Sequence, residues 1–222
     1  LNSIENLGSM DVLCTDKTGT LTAGVVALDG AVGTLGQAST AVMRLAAINA
    51  QFQSGLTNPL DEAVVTAAKK AGIDLDEVQK VDEIPYDFVR KCLSVVVTDA
   101  GGVHTLVTKG AFDRILAICT TAAMADGDST VLLDDAMRTD LERRFEAWSN
   151  QGYRVLGVAS RPVDARSAPY VRGDEQALNF DGFLLFMDPP KADVHQALAD
   201  LAERGVQLKI ITGDNRKVAR HV

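Results

Sequence analysis

Cysteine, basic charge and long apolar runs are all scarce in this chain of 222 residues. Its three cysteines, Cys14, Cys92 and Cys119, are too few and too scattered for a disulfide framework or a zinc site, so we expect reduced thiols in a cytosolic protein. No apolar run approaches the ~20 residues that span a bilayer. The formal net charge of −8 argues against nucleic acid or an anionic membrane surface as the main partner, because both need a basic face.

The two ends of the chain carry the pattern of a parallel α/β sheet. Residues 10–15 form a short apolar run, typical of a strand buried on both faces, which leads directly into Asp16. Far along the chain, residues 192–204 have apolar side chains at helical spacing, and residues 206–211 predict a second strand that ends at Thr212. Strand, helix and strand in this order indicate two parallel strands.

The middle of the chain has a different pattern, which predicts an inserted α+β domain. Its predicted elements are a helix over 58–72, a β-hairpin of strands 92–98 and 103–108, a helix over 134–151, a strand over 153–160 and an irregular excursion over 161–179. We place the joints near Ala23 and near Asp188, where a pair of prolines suits a stiff hinge. This gives three segments, 1–22, 23–188 and 189–222, of which the first and last belong to one parallel domain.

The strongest chemical signal is the heptad at 16–22, Asp-Lys-Thr-Gly-Thr-Leu-Thr, which follows the first predicted strand. A carboxylate at the carboxyl end of a strand lies in the crevice where open α/β sheets bind ligands. There Asp16 can attack a phosphoryl group and form an aspartyl phosphate, a labile anhydride that can be made and broken within one cycle. Lys17, Thr18 and the amide of Gly19 supply the charge and donors that phosphoryl transfer requires. The alternative is a capped aspartate in a polar turn.

The heptad resembles the phosphorylation motif of P-type ATPases, within the haloacid dehalogenase-like superfamily. The resemblance implies an α/β fold: a partial, parallel, Rossmann-like phosphorylation domain with a large inserted α+β nucleotide-binding domain. It also implies that Asp16 takes the γ-phosphate of ATP, with Lys17 and Thr18 as catalytic neighbours. ATP and Mg²⁺ are the implied cofactors, and Asp16 and the Thr18 carbonyl are the implied metal ligands. Related phosphatases have an acidic general acid where this chain has Thr18, so the phosphoenzyme should persist long enough to drive a conformational change.

The second phosphate-side motif is Thr212-Gly213-Asp214, after the second predicted strand. At a helix start, free amides and the helix dipole favour phosphate. By resemblance to the family, Thr212 contacts the phosphoryl oxygens and Asp214 lies near the magnesium-nucleotide. Alone, this motif would indicate only a common strand-to-helix turn. Together with Asp16, it indicates a phosphate site.

The resemblance also implies a nucleotide pocket in the inserted domain. Lys109 and Gly110, after the hairpin, are similar to the lysine and glycine that line the ATP pocket of the family, although a lone surface lysine would look the same. Tyr86 stands where the family stacks an aromatic ring on adenine, and Phe88 is the second candidate for that role. Lys91 matches a second basic residue of the pocket.

Two further pocket residues have plain structural alternatives. Asp61 matches the acid that accepts a hydrogen bond from the adenine amino group, but it also lies in the first turn of a predicted helix, where any carboxylate is favourable. Arg154 matches the arginine that reaches the ATP phosphates, but an arginine at the start of an edge strand needs no ligand.

The sequence around these motifs resembles that of bacterial magnesium-transporting P-type ATPases more than that of calcium or sodium–potassium pumps, over residues 4–15 and 81–88. The resemblance implies a cation pump at the cytoplasmic face of the plasma membrane, with the transported cation, Mg²⁺, and the pump's own actuator domain as partners. Both ends of the chain interrupt a pattern, so we expect a soluble fragment that binds ATP weakly and does not turn over alone. The alternatives are a calcium or other cation pump, a soluble phosphatase of the superfamily, and a non-catalytic nucleotide sensor.

Overall fold

A computed structural model describes residues 10–55, 58–124, 129–166, 169–188 and 191–211. Over these ranges the chain forms two sheets, one of two strands and one of eight. The strands are β1 (Val12–Asp16), β2 (Ala27–Gly33), β3 (Gln79–Asp87), β4 (Cys92–Thr98), β5 (His104–Ala111), β6 (Cys119–Ala123), β7 (Thr130–Leu132), β8 (Arg154–Val163), β9 (Leu178–Met187) and β10 (Gln207–Ile211). The helices are α1 (Thr40–Phe52), α2 (Pro59–Lys70), α3 (Phe112–Ala117), α4 (Asp135–Asn150) and α5 (Val194–Glu203).

The large sheet is mixed. Strands β3, β4, β5, β8 and β9 follow one another in antiparallel pairs. The far side of β9 is shared by two strands: β2 pairs antiparallel with its second half, and β6 pairs parallel with its start. Strand β7 lies beyond β6. The small sheet pairs β1 with β10 in parallel, as the sequence predicts.

Helices cover the large sheet on both faces, so its central strands are apolar without alternation. Along β4, Val95 packs in a cluster with Ile48 of α1, while the next residue, Val96, packs in a cluster with Phe112 of α3 on the opposite face. Successive side chains of a strand point to opposite faces, so this change of partner is expected of a strand between two helical layers. The fold is therefore a mixed α/β domain with helices on both sides of one large sheet.

Most of the predicted elements are confirmed. Helix α2 begins at Pro59 with Asn58 as its cap, whose Oδ1 accepts from the Leu60 amide at 3.0 Å. The predicted hairpin is β4–β5, and the predicted helices near the middle and end are α4 and α5. The excursion predicted over 161–179 is wrong at both ends, because β8 continues to Val163 and β9 begins at Leu178. The sequence patterns also missed α1 and the strands β2, β3 and β6.

The three cysteines are free thiols, Cys14 exposed and the other two buried. Burial raises the pKa of the Cys92 thiol to about 11, and the nearby Glu175 carboxylate adds to the shift. Burial also raises the pKa of Cys119. Both buried thiols are therefore neutral and unreactive at physiological pH. Within the described ranges, no helix is long and apolar enough to cross a membrane.

One carboxylate outside the predicted site lies within the large sheet. Asp181 of β9 accepts a hydrogen bond from Asn179 Nδ2 at 2.7 Å through Oδ1, while its Oδ2 is buried without a hydrogen-bond partner among the described residues. Burial raises the pKa of Asp181 to about 6, although hydrogen bonds from Ser160 and Asn179 oppose the shift. The charged form of this side chain is therefore a cost to the folded state near neutral pH.

Candidate functional site

Asp16 is the last residue of β1 and lies beside Ile211, the last residue of β10. Parallel strands end at the same edge of a sheet, so the residues that follow them start side by side. Asp16 is exposed at this edge and does not lie in the hydrophobic interior. Thr212 follows Ile211 directly, although Thr212, Gly213 and Asp214 themselves lie outside the described residues.

The rest of the heptad forms a π-helical turn, Lys17–Leu21, directly after β1. The side chains of Lys17 and Thr18 lie outside the description. Two hydrogen bonds fix the turn. The Gly19 amide donates to Thr22 Oγ1 at 3.1 Å, and Thr22 Oγ1 donates to Asp188 Oδ2 at 2.6 Å. Asp188 belongs to the second joint predicted between the domains, so one hydrogen-bonded chain links the phosphorylation motif to that joint.

Asp188 and Lys191, which flank the second predicted joint, make three more hydrogen bonds with residues 19–24, near the first predicted joint. Asp188 Oδ1 accepts from the Gly24 amide at 3.0 Å, and Lys191 Nζ donates to the Gly19 carbonyl at 3.0 Å. The Lys191 amide donates to the Leu21 carbonyl, also at 3.0 Å. Asp188 and Lys191 therefore both contact residues 19–24 at the end of the small sheet. That the joints separate two domains stays a prediction.

Asp61 and Lys109 form a buried ion pair. Asp61 lies in the first turn of α2 and Lys109 in β5, and Asp61 Oδ1 accepts from Lys109 Nζ. Gln53, which follows α1, donates from Nε2 to Asp61 Oδ2 at 2.9 Å. The lysine and aspartate side chains are only 8% and 12% exposed. Burial lowers the pKa of Lys109, and the charge of Asp61 and its hydrogen bond with Lys109 oppose that shift. The structure thus joins two of the predicted pocket residues.

Arg154 lies on the same face of the sheet as Lys109. Lys109 of β5 is paired with Val158 of β8, and paired residues share a face. Arg154 starts β8 four residues before Val158, an even spacing that keeps it on that face roughly 13 Å further along the strand. Arg154 is exposed there. Lys109, with Asp61 beside it, and Arg154 therefore lie along one face of the sheet.

Gly110 packs closely against the backbone at the end of the β3–β4 loop. A Cβ built on Gly110 would lie 2.4 Å from the Lys91 carbonyl oxygen and 2.5 Å from Cys92 Cβ. The same carbonyl accepts from the Ala111 amide at 2.9 Å, and Lys91 has a left-handed backbone with φ of 52°. A glycine is therefore required at position 110 for a structural reason, besides its predicted role beside the nucleotide. Without a side chain, Gly110 lets the β3–β4 loop pack against the end of β5.

The end of β3 and the β3–β4 loop, residues 88–91, place two aromatic rings in solvent. Tyr86 is 51% and Phe88 86% exposed, and their ring centroids lie 5.4 Å apart at 90°. The Asp87 carboxylate closes the loop by accepting from the Arg90 and Val89 amides, at 3.0 and 2.7 Å, and these bonds lower the pKa of Asp87. A closed turn thus presents both rings to solvent, and aromatic rings of this kind can stack on a flat ligand.

Gln53, Arg90 and Glu175 are site residues that the sequence patterns missed. Gln53 contacts Asp61 from the end of a helix that was not predicted, and Arg90 and Glu175 meet across 85 positions of the chain. No local spacing signals either contact. Predicted roles for Asp61, Tyr86, Phe88, Lys91 and Arg154 toward a nucleotide stay predictions.

Comparison with known proteins identifies the family of this chain. The family model described as "P-type ATPase, cytoplasmic domain N" matches residues 41–193, well over half of the chain. The chain belongs to the P-type ATPase family.

Its relatives point to one branch of the family. The chain is 42% identical, over 227 residues, to "Magnesium-transporting ATPase, P-type 1" of Salmonella typhimurium strain LT2, which covers 100% of this chain and 25% of that protein. It is 41% identical to the protein of the same name in Escherichia coli K12, with the same coverage. "Calcium-transporting ATPase 1" of Saccharomyces cerevisiae is 29% identical over 261 residues, 100% of this chain and 27% of that protein. The chain thus spans about a quarter of the length of these curated relatives.

Proposed function

We propose that this chain is the nucleotide-binding and phosphorylation segment of an ATP-driven cation pump, which transfers the γ-phosphate of ATP to Asp16. The observation that carries the proposal is the register of the small sheet, where Asp16 ends β1 beside the last residue of β10. An exposed carboxylate at this edge can be reached by a phosphate held at the loop that follows β10. The aspartyl phosphate would store the energy of ATP for the transport step.

The proposed nucleotide-binding residues fall into two groups, one for the purine of ATP and one for its phosphates. Tyr86 or Phe88 stacks on the purine, Asp61 accepts from its amino group, and the cationic side chains along the same region meet the phosphates. The proposed phosphorylation residues are Asp16, Lys17, Thr18, Thr212, Gly213 and Asp214, and the proposed nucleotide residues are Asp61, Tyr86, Phe88, Lys91, Lys109, Gly110 and Arg154. The proposal keeps the domain boundaries at 22/23 and 188/189, with a haloacid dehalogenase-like topology for the flanking domain.

Asp16 and the Thr18 carbonyl are the proposed ligands of the Mg²⁺ that accompanies ATP. An exposed carboxylate next to a turn fits this ion, because Mg²⁺ takes oxygen ligands and keeps several waters. Within the described ranges, no group of three or more histidine, cysteine, aspartate or glutamate side chains is arranged to hold a metal. The ion would neutralise charge that develops on the transferred phosphoryl group.

Mg²⁺ is also the proposed cargo. Relatives named for magnesium transport are 38–42% identical to the chain, whereas those named for calcium transport are 28–30% identical. The proposed pump acts at the cytoplasmic face of the plasma membrane, with its actuator domain as an internal partner. Against the phosphatase alternative, Thr18 occupies the position of the general acid, and the exposed rings of Tyr86 and Phe88 have no role in a phosphatase.

The test is phosphorylation of the full-length protein in membranes. With ATP labelled at the γ-phosphate, acid-stable and hydroxylamine-labile label should appear in the unaltered protein and should be lost in Asp16→Asn. Asp11→Asn is the matched control, because Asp11 is exposed just before β1 and should leave labelling unchanged. Label that persists in Asp16→Asn would contradict the proposal. Uptake of Mg²⁺ but not Ca²⁺ into vesicles would test the cargo, and the isolated chain should bind ATP weakly and stay unlabelled.

A further inference from the structure

A buried carboxylate connects an irregular segment to the loop that carries the aromatic rings. Glu175 lies in the β8–β9 connection, residues 164–177, and is 7% exposed. It accepts from Arg90 Nη1, at 2.6 Å for Oε1, and from Ser94 Oγ at 2.6 Å. The Ser94 hydroxyl is hydrogen-bonded in turn to Thr108 Oγ1 at 2.7 Å. The carboxylate is therefore fixed both to the β3–β4 loop and to the two strands β4 and β5.

Arg90 carries this contact into the backbone around the rings. Its Nη2 donates to the Pro85 carbonyl, so one guanidinium bridges Glu175 and the residue that precedes Tyr86. Arg90 itself follows Phe88 by two positions. An arginine fork in this position holds both ends of the segment 85–90 at a set distance from Glu175.

Two other contacts join the same two segments. Arg172 Nη2 lies 2.7 Å from Asp87 Oδ2, and the Tyr170 amide donates to Asp82 Oδ2 at 2.7 Å. The β8–β9 connection therefore lies along β3 and its loop, with three polar contacts spread over Asp82, Asp87 and Arg90. On the other side, the Lys91 carbonyl is bonded to β5, so the loop is held from two directions while its tip is exposed.

A buried ion pair is not an efficient way to stabilise a fold. Taking two charges out of water offsets most of their attraction, and well-packed apolar side chains often do as well. The pair of Arg90 and Glu175 does supply a fixed geometry, because its hydrogen bonds are directional. The segment that it fixes is the one with the most exposed aromatic ring of the described residues, Phe88.

We propose that Glu175 and Arg90 are positioning residues for nucleotide binding, which fix the β3–β4 loop so that an aromatic ring meets the purine. The inference rests on the proposed function, since it concerns the same nucleotide site. Neither residue touches the nucleotide: they act through the loop, and therefore through Tyr86 or Phe88. Base–aromatic stacking is worth about 1–3 kcal/mol, or roughly 5- to 150-fold in affinity, so loss of its geometry is measurable.

The experiment is titration of the 222-residue chain with ATP by calorimetry. Glu175→Gln should weaken ATP binding by about 3- to 10-fold, as a partial loss of stacking. Glu142→Gln, on the exposed side of α4, should leave affinity unchanged. Circular dichroism and urea unfolding will establish that each variant is folded at the assay temperature. If Glu175→Gln does not fold, Glu175→Asp keeps the charge, shortens the side chain by one methylene, and should give the same weakening.

A double-mutant cycle separates positioning from general destabilisation. If Glu175 acts through a ring, Glu175→Gln combined with Tyr86→Ala, or with Phe88→Ala, should bind ATP no more weakly than the alanine variant alone. Additive losses with both rings would overturn the inference, as would unchanged affinity in Glu175→Gln. No ATP binding by the unaltered chain would overturn the proposed function as well. Losses in the alanine variants without a loss in Glu175→Gln would overturn the positioning role alone.

Discussion

The buried pair of Lys109 and Asp61 makes a strong prediction about stability. Lys109→Met keeps an unbranched side chain of similar length in β5 but removes the ammonium group. Asp61 then loses the donor at Oδ1, while Gln53 still donates to Oδ2 at 2.9 Å. At 12% exposure, the Asp61 side chain has little access to water that would replace the lost partner. The variant therefore leaves a buried carboxylate with half of its described hydrogen bonds.

The expected cost follows from that geometry. Removing one partner of a buried pair costs about 3–5 kcal/mol. The bond from Gln53 and the residual exposure of Asp61 reduce this, so we expect Lys109→Met to lower the free energy of unfolding by about 2–3 kcal/mol. The double variant Lys109→Met/Asp61→Leu removes both charges and should lie within about 1 kcal/mol of the unaltered chain. The two substitutions are therefore expected to be strongly non-additive.

Urea unfolding at pH 7, followed by circular dichroism, measures these differences. Arg143→Met is the control, because Arg143 pairs with Asp140 on α4 but is 72% exposed, and it should change stability by less than about 1 kcal/mol. The reasoning is refuted if Lys109→Met costs no more than this control. It is also refuted if the double variant is less stable than Lys109→Met, since the loss would then be of packing rather than of charge pairing.

Two further predictions concern stability outside the ion pair. The pKa of Asp181 in the folded chain is about 6, above its ordinary value of 3.8. Between these two pH values the folded chain binds more protons than the unfolded chain, so the contribution of Asp181 to the free energy of unfolding falls as the pH rises from 3.8 to about 6. Asp181→Asn should therefore stabilise the chain by about 1–2 kcal/mol at pH 7.5 and have no such effect below about pH 4, by thermal and urea unfolding; equal effects at both pH values would contradict this. Gly110→Ala should destabilise by about 1–3 kcal/mol because its Cβ would meet the Lys91 carbonyl at 2.4 Å. Gly173→Ala, whose Cβ meets nothing within 4 Å, should stay within about 0.5 kcal/mol in the same assay, and equal losses at the two glycines would contradict the clash.

Local signals made part of the fold predictable. The start of α2 follows from Asn58 and Pro59, and the β4–β5 turn follows from Asp99, whose Oδ1 accepts from the Gly101 amide at 2.9 Å. These signals act within a few residues, so the sequence contains the whole interaction. Helix α1 gives no such pattern, because five consecutive residues from Ala46 to Ala50 are buried and it lacks a polar face there. Strand β3 is polar and contains Pro85, as suits the edge position that it occupies in the sheet.

The candidate site was likewise predictable where the signal is local and not where it depends on tertiary packing. Asp16 could be placed at a strand end from the sequence, because the apolar run and the polar heptad adjoin each other. The order strand, helix, strand predicted that the strand ending at Ile211 is parallel to β1, but the register that pairs Asp16 with Ile211 comes from the structure. The contact of Lys109 with Asp61 spans 48 positions and depends on how α2 packs against α1 and β2, which no spacing encodes. Tertiary packing, rather than local propensity, therefore decides the electrostatics of the pocket.

The ion pair is compatible with the role proposed for Asp61, as a count of hydrogen-bond sites makes clear. An ionised carboxylate has about four acceptor sites, and the described contacts of Asp61 use one for Lys109 and one for Gln53. An adenine amino group can therefore bind to Asp61 while Lys109 stays in place as the counter-ion. Lys109 has three donors and directs one to Asp61, so it too can add a contact to a nucleotide. On this argument Lys109→Met weakens ATP binding by two routes, loss of its own contact and displacement of Asp61. Asp61→Asn, which keeps one acceptor oxygen, should weaken ATP binding less.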